Sequence, residues 1–131
     1  MPIRVLYVDD EQELRDTVSM HLQLEGFDVV TAKDGNEAML CLDKEPFDLA
    51  LLDIDLPKLN GVALLQYIKT HQINAKAIVL TGADDLHALD KCARLGASDY
   101  LPKPYNFHEL MNSIACVLGE VTTTDSGEDS P

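Results

Sequence analysis

The chain is short of basic residues, of long apolar runs and of paired cysteines, and each shortage argues against a class of function. Ten Lys and Arg stand against 23 Asp and Glu, a formal net charge of −13. So acidic a surface cannot neutralise a phosphate backbone, which argues against direct nucleic-acid binding by this chain. No apolar stretch approaches the roughly 18 residues that a membrane span requires, so no membrane partner is expected. The N-terminus, Met1-Pro2-Ile3-Arg4, leads straight into a strand and has no signal-peptide layout, and the expected location is the cytoplasm. Three cysteines, Cys41, Cys92 and Cys116, lie far apart with no C-x-x-C spacing. They form neither a disulfide framework nor a zinc site, and are expected to be buried free thiols. Histidines 21, 71, 87 and 108 show no ligand spacing and are expected at the surface or half-buried.

What is present is an ordinary globular composition, 46% apolar and 25% charged, long enough for one domain with its own core. Ile3 to Val8 is a β-branched run that stops at Asp9-Asp10, the first strand. Leu14, Val18 and Leu22 then recur at helical spacing up to Gly26, a C-cap. Phe27 to Thr31 is the second strand. Asp34 and Glu37 have the spacing of a capping box and open a helix that runs to about Glu45. Leu49 to Leu52 is an apolar third strand ending in Asp53, and Pro57 marks the chain's exit from the sheet. Asn60-Gly61 starts a helix with Val62, Leu65 and Ile68 on one face. Ala77 to Leu80 is the fourth strand, ending at Thr81-Gly82; a helix with Leu86, Leu89 and Ala93 inward closes at Gly96. Ser98 to Leu101 is a short fifth strand before Pro102-Lys103-Pro104. The last helix opens at Asn106 with Glu109 as capping partner and buries Leu110, Ile114 and Val117. Residues 1–119 therefore read as one domain, and residues 120–131 as a polar acidic tail or linker.

Strands alternating with helices predict an α/β fold, a doubly wound parallel sheet with helices on both faces. In such folds ligands bind at the carboxyl ends of the strands. The residues there are Asp9, Asp10, Asp53, Thr81 and Lys103. If the first strand is central, three carboxylates crowd together. Two charges about 4 Å apart repel by roughly 4 kcal/mol at an effective dielectric of about 20, so the group calls for a cation. Hard oxygen ligands at a hydrated mouth suit Mg²⁺ (or Mn²⁺). A divalent ion, a lysine and a hydroxyl around one carboxylate suit a phosphoryl group, whose charge is spread over its outer oxygens. Taken singly the residues have plainer roles. Asp10 with Glu13 also has capping-box spacing, Asp9 could be a solvated loop acid, and Lys103 a surface lysine between prolines.

As a set, these motifs resemble the receiver domain of two-component response regulators. The resemblance rests on Asp9-Asp10, Asp53, Pro57 and Gly61, Thr81-Gly82, and Asp99-Tyr100-Leu101-Pro102-Lys103-Pro104, and it covers about residues 3–118. It implies a flavodoxin-like five-stranded parallel sheet of order 2-1-3-4-5 with five helices. It implies that Asp53 is the phosphoacceptor, served by a sensor histidine kinase or a histidine phosphotransfer protein. Mg²⁺ would be held by Asp10, Asp53 and the backbone carbonyl of Asp55, with Asp9 acting largely through bound water. Lys103 would pair with a phosphoryl oxygen across a cis Lys103-Pro104 bond. Thr81 and Tyr100 would be the switch that reshapes the face of helix four, strand five and helix five. That face would control an output domain or target protein whose identity the sequence does not carry, and it is compatible with a phosphorylation-dependent homodimer. Such a domain is not an enzyme in the ordinary sense, catalysing only its own phosphorylation and dephosphorylation. The acidic side chain of Asp55 is a departure at a variable position of the family.

Three rivals are weaker. Asp53-Ile54-Asp55 matches the D-x-D of haloacid-dehalogenase-like phosphatases, but there that motif ends the first strand and precedes the second acidic cluster. A flavin site would need a glycine- and hydroxyl-rich phosphate loop where Asp9-Asp10-Glu11-Gln12-Glu13 stands. A scaffold receiver that is never phosphorylated would not need the full residue set. The sequence leaves open a stand-alone regulator and a receiver within a longer protein; the linker-like tail favours the second.

Overall fold

The computed structural model describes residues 2–54, 61–82 and 86–119. Asp55, Pro57, Asn60 and the stretch 120–131, all named above, lie outside the described residues. Strands and helices alternate: β1 (Arg4–Val8), α1 (Gln12–Leu24), β2 (Asp28–Ala32), α2 (Gly35–Lys44), β3 (Leu49–Asp53), α3 (Gly61–Thr70), β4 (Lys76–Thr81), α4 (Leu86–Arg94), β5 (Asp99–Pro102) and α5 (Phe107–Leu118). The strands make one sheet of order β2-β1-β3-β4-β5, every neighbouring pair parallel. Both the fold class and the strand order expected from the sequence are found.

Side chains on a strand alternate between faces, and the core divides accordingly. Val5 and Tyr7, Leu49 and Leu51, Ile78 and Leu80 pack with Val18 and Leu22 of α1 and Leu110 and Ile114 of α5. Leu6 and Val8, Ala50 and Leu52, Ala77 and Val79 pack on the other face with Leu42 of α2, Leu64 and Ile68 of α3 and Cys92 of α4. β3, covered on both faces, is buried at all of its residues. Among the described residues no helix is long and apolar enough to cross a membrane.

Local signals set most boundaries. Gly26 (φ +98°) ends α1, with Phe27 N–H donating to the Leu22 carbonyl. Asn106 and Glu109 form the full reciprocal capping box of α5. The Asp34 side chain caps α2 by accepting from Glu37 N–H at 2.9 Å, but Glu37 turns its own carboxylate to Lys33 N–H instead of completing the box. Three sequence readings are corrected. α1 takes Glu11 as its N-cap with no side-chain cap bond, so Asp10 is not a helix cap. In the α4 segment the residues packed against the core are Ala88 and Cys92 of the helix and Leu95 just past its end; Ala93 is exposed, Leu89 is outside that cluster, and the side chain of Leu86 lies outside the described residues. These three follow the i, i+4, i+7 line of a helix. Of the cysteines only Cys92 is buried, since Cys116 lies on the outer side of α5, opposite Leu110 and Ile114.

Gly61, the first residue of α3, sits against the end of β3. A Cβ there would fall 2.9 Å from the carbonyl oxygen of Asp53 and 2.9 Å from Cα of Ile54. Backbone cannot yield as a flexible side chain can. Gly61→Ala is expected to lower stability by about 1–3 kcal/mol, the usual cost of overpacking, read as a lower urea midpoint at unchanged slope. An unchanged midpoint would show that α3 can shift without strain.

Candidate functional site

The register places the acidic residues side by side before any side chain is considered. Val8 pairs with Leu52, so the next residues, Asp9 and Asp53, lie together at the carboxyl ends of adjacent strands. By alternation Asp9 continues the side of Val5 and Tyr7, and Asp53 that of Leu49 and Leu51. The two carboxylates therefore face the same layer. Asp10, one residue further, leaves the sheet and is exposed. Asp9, Asp10 and Asp53 each offer an oxygen, and these atoms all lie within 4.8 Å of one another.

Burial separates the three. Asp9 is 0% and Asp53 2% exposed, which rules out Asp9 as a solvated loop acid. A carboxylate so deep needs donors. Asp9 accepts from Glu11 N–H at 2.9 Å on Oδ1 and from the Tyr7 hydroxyl at 3.1 Å on Oδ2. Its backbone is fixed as well: its N–H donates to the Ala32 carbonyl at 3.1 Å, and Arg15 Nη1 donates to its carbonyl at 2.8 Å. Asp53 accepts from Lys103 Nζ at 2.7 Å on Oδ2.

Lys103 is placed by β5. Thr81 pairs with Pro102, and Lys103 N–H continues the ladder to the Thr81 carbonyl at 2.7 Å. The Lys103-Pro104 bond is cis. Burial by itself lowers the ammonium pKa. The bond to Asp53 and the charges of Asp53 and Asp9 together outweigh burial, and the pKa stands above its ordinary value. Lys103 is therefore a fixed cation on the β5 side of the acidic group.

Thr81 is buried at the end of β4 with the opposite parity to Leu80, on the side of Ala77 and Val79. Tyr100 is half-buried and packs against that same layer, and burial raises its pKa. The fold thus brings together Asp9, Asp10, Asp53 and Lys103, and sets Thr81 and Tyr100 on the adjoining α3–α4 side. Two contributors escaped the sequence reading. Tyr7 reads in the sequence as a strand residue, although a hydroxyl two positions before Asp9 must share its side of the sheet. Arg15 acts through six residues of loop and helix, for which no spacing rule exists.

Chemically, the donors for a cation are all carboxylate oxygens, hard ligands that crowd without enough positive charge nearby, with one of the three open to solvent. That set fits a small divalent ion that keeps part of its water. Asp53, with an oxygen in this group and a lysine on its other side, has a cation at hand for any further negative charge gathered there.

Known proteins resemble this chain in sequence and in fold. The family model described as response regulator receiver domain matches residues 5–115. The chain is 33% identical over 131 residues to response regulator MprA of Mycobacterium sp. (strain KMS), which covers 100% of this chain and 56% of that protein. It is 40% identical over 118 residues to the transcriptional regulatory protein CpxR of Escherichia coli (strain K12), which covers 88% of this chain and 49% of that protein. The chain spans about half the length of these curated relatives. Among solved structures, a CheY-like response regulator receiver domain protein from Methanospirillum hungatei JF-1 superposes with a TM-score of 0.88 at 32% identity, covering 92% of this chain and 96% of that one.

Proposed function

The chain belongs to the receiver-domain family of two-component response regulators, and from that membership we propose that Asp53 is its phosphoacceptor. The observation that carries this is the geometry of Asp53: buried at the end of β3, grouped with Asp9 and Asp10 within 4.8 Å, and held by Lys103 at 2.7 Å. An Asp53 carboxylate oxygen attacks the phosphorus of a phosphohistidine on a sensor kinase or phosphotransfer protein. The P–N bond breaks, the imidazole leaves, and an aspartyl phosphate forms. Asp10, Asp53 and the backbone carbonyl of Asp55 would hold Mg²⁺ (or Mn²⁺), with Asp9 acting largely through its hydration water. When bound, the ion supplies charge neutralisation for the transferring phosphoryl group. Lys103 exchanges its bond to Asp53 for one to a phosphoryl oxygen.

Thr81 and Tyr100 serve the response. The Thr81 hydroxyl turns to the phosphoryl group and Tyr100 follows inward, favouring the active member of a pre-existing pair of conformations. The burial of Thr81 and its position beside the packed Tyr100 layer support this role. The face of α4, β5 and α5 would then control an output domain or partner protein, or a phosphorylation-dependent homodimer. In this reading residues 1–119 are the receiver and 120–131 a polar linker or tail, and the protein works in the cytoplasm. Its only catalysis is of its own phosphorylation and dephosphorylation.

The test is incubation with acetyl phosphate. In Mg²⁺ the intact mass is expected to rise by one phosphoryl group and amide shifts to move at Thr81 and Tyr100; with excess EDTA neither should occur. Modification that is indifferent to EDTA would overturn the metal-dependent mechanism. Steady turnover of p-nitrophenyl phosphate, lost in Asp55→Asn, would favour the phosphatase reading instead.

A further inference from the structure

Tyr7 lies on β1, an interior strand, 0% exposed, with its ring packed in the apolar layer between the sheet and helices α1 and α5. Packing alone would be met by phenylalanine. A hydroxyl in such a place raises the cost of folding unless it is bonded. Its bond is to Asp9 Oδ2, at 3.1 Å, while Oδ1 takes the Glu11 N–H. The two oxygens of this carboxylate are therefore fixed by two donors from different directions. A carboxylate can only accept, so the Tyr7 hydroxyl is the donor in this bond.

We infer that Tyr7 is a positioning residue for the metal site, holding the Asp9 carboxylate in the orientation from which it serves a bound Mg²⁺. The inference rests on the metal reading of Asp9, Asp10 and Asp53 proposed above. Mg²⁺ demands near-ideal octahedral geometry and gives up its water reluctantly, so the direction in which a second-layer carboxylate presents its lone pairs matters to it. An Asp9 released from Tyr7 keeps only the Glu11 N–H and can rotate about its carboxylate bond, and part of the site's preorganisation is lost.

Tyr105 supplies a matched control. Its hydroxyl is also buried, against that of Tyr7 and near enough to Asp9 to feel its charge, yet among the described residues it makes no hydrogen bond to a carboxylate. Deleting either hydroxyl changes the polarity of one small volume, but only Tyr7→Phe removes a bond to Asp9.

The experiment is titration of the metal-free protein with MgCl₂ and, separately, CaCl₂, followed by backbone amide shifts around Glu11. Tyr7→Phe is expected to need roughly tenfold more Mg²⁺ than wild type, the scale of losses seen when a partner of a metal-site residue is removed. Tyr105→Phe should stay within about twofold of wild type, a small fraction of such a loss. The Ca²⁺ affinity of Tyr7→Phe should fall less than its Mg²⁺ affinity, since Ca²⁺ accepts irregular coordination. Mg²⁺ binding by Tyr7→Phe that matches wild type overturns the inference. Equal weakening by Tyr105→Phe, or equal loss for both ions, overturns it too, because either result reports general loosening. A wild-type protein that binds no Mg²⁺ overturns the metal reading itself, which the first titration reveals before any variant is made.

Discussion

Asp53→Asn is expected to take up no phosphoryl group from acetyl phosphate in Mg²⁺, under conditions where the wild type gains one. Asparagine has nearly the same shape, so β3 and its packing should be retained. Its amide oxygen can still accept from Lys103. What it lacks is the anionic lone pair that attacks phosphorus. The nearby carboxylates are poor substitutes. Asp9 has both oxygens committed to Glu11 N–H and the Tyr7 hydroxyl, and Asp10 is exposed to solvent at the rim. Removing one of three crowded acids should also weaken Mg²⁺ binding, because the charge that recruits the ion has fallen. Intact mass after incubation decides the matter. A phosphoryl group that still appears on Asp53→Asn would mean that another side chain is the acceptor.

The sequence revealed much of this site because parallel α/β sheets repeat one rule. A β-branched or leucine-rich run that ends in a polar residue places that residue at the carboxyl end of its strand. Asp53 after Leu49 to Leu52 and Thr81 after Ala77 to Leu80 are both found there. The expected adjacency of Asp9 and Asp53 follows from strand order, which the family resemblance implies and the β1–β3 register bears out. Helix ends were legible where a side chain or glycine acts locally, as at Asn106 and Gly26.

Depth was less legible. Nothing in Asp9-Asp10 says which acid is buried; that depends on where β1 stops and which way the alternation has turned by then. On α4 the residues that pack against the core are Ala88 and Cys92, which hydrophobicity alone does not pick out over Leu89. The Tyr7–Asp9 bond needed tertiary knowledge of a different kind. A tyrosine in a strand reads as packing until its hydroxyl is seen to meet a carboxylate two residues on.

Lys103→Met is expected to destabilise the metal-free protein and to make its stability strongly dependent on Mg²⁺. Methionine replaces the unbranched stem but leaves Asp53, 3% exposed at its side chain, with its lysine partner gone and two carboxylates close by. Breaking a fully buried pair costs about 3–5 kcal/mol; Lys103 keeps 24% of its side-chain exposure, so a screened loss of roughly 2–3 kcal/mol is expected. For a domain of this size that corresponds to a fall in Tm on the order of 10 °C. Mg²⁺ should recover part of the loss, since the ion restores positive charge to the same carboxylates. The pH dependence has a defined sign. A lysine whose folded pKa is raised contributes its full stabilisation below the unfolded value, about 10.4, and loses it as pH rises through the folded value. The gap between wild type and Lys103→Met should thus be constant near neutrality and close only in strongly alkaline buffer. Urea unfolding in EDTA, with and without added Mg²⁺, measures each part. Equal stabilities of the two proteins in EDTA at about pH 7 would show that solvent already screens the bond between Lys103 and Asp53, and that the acidic group tolerates its own charge without it.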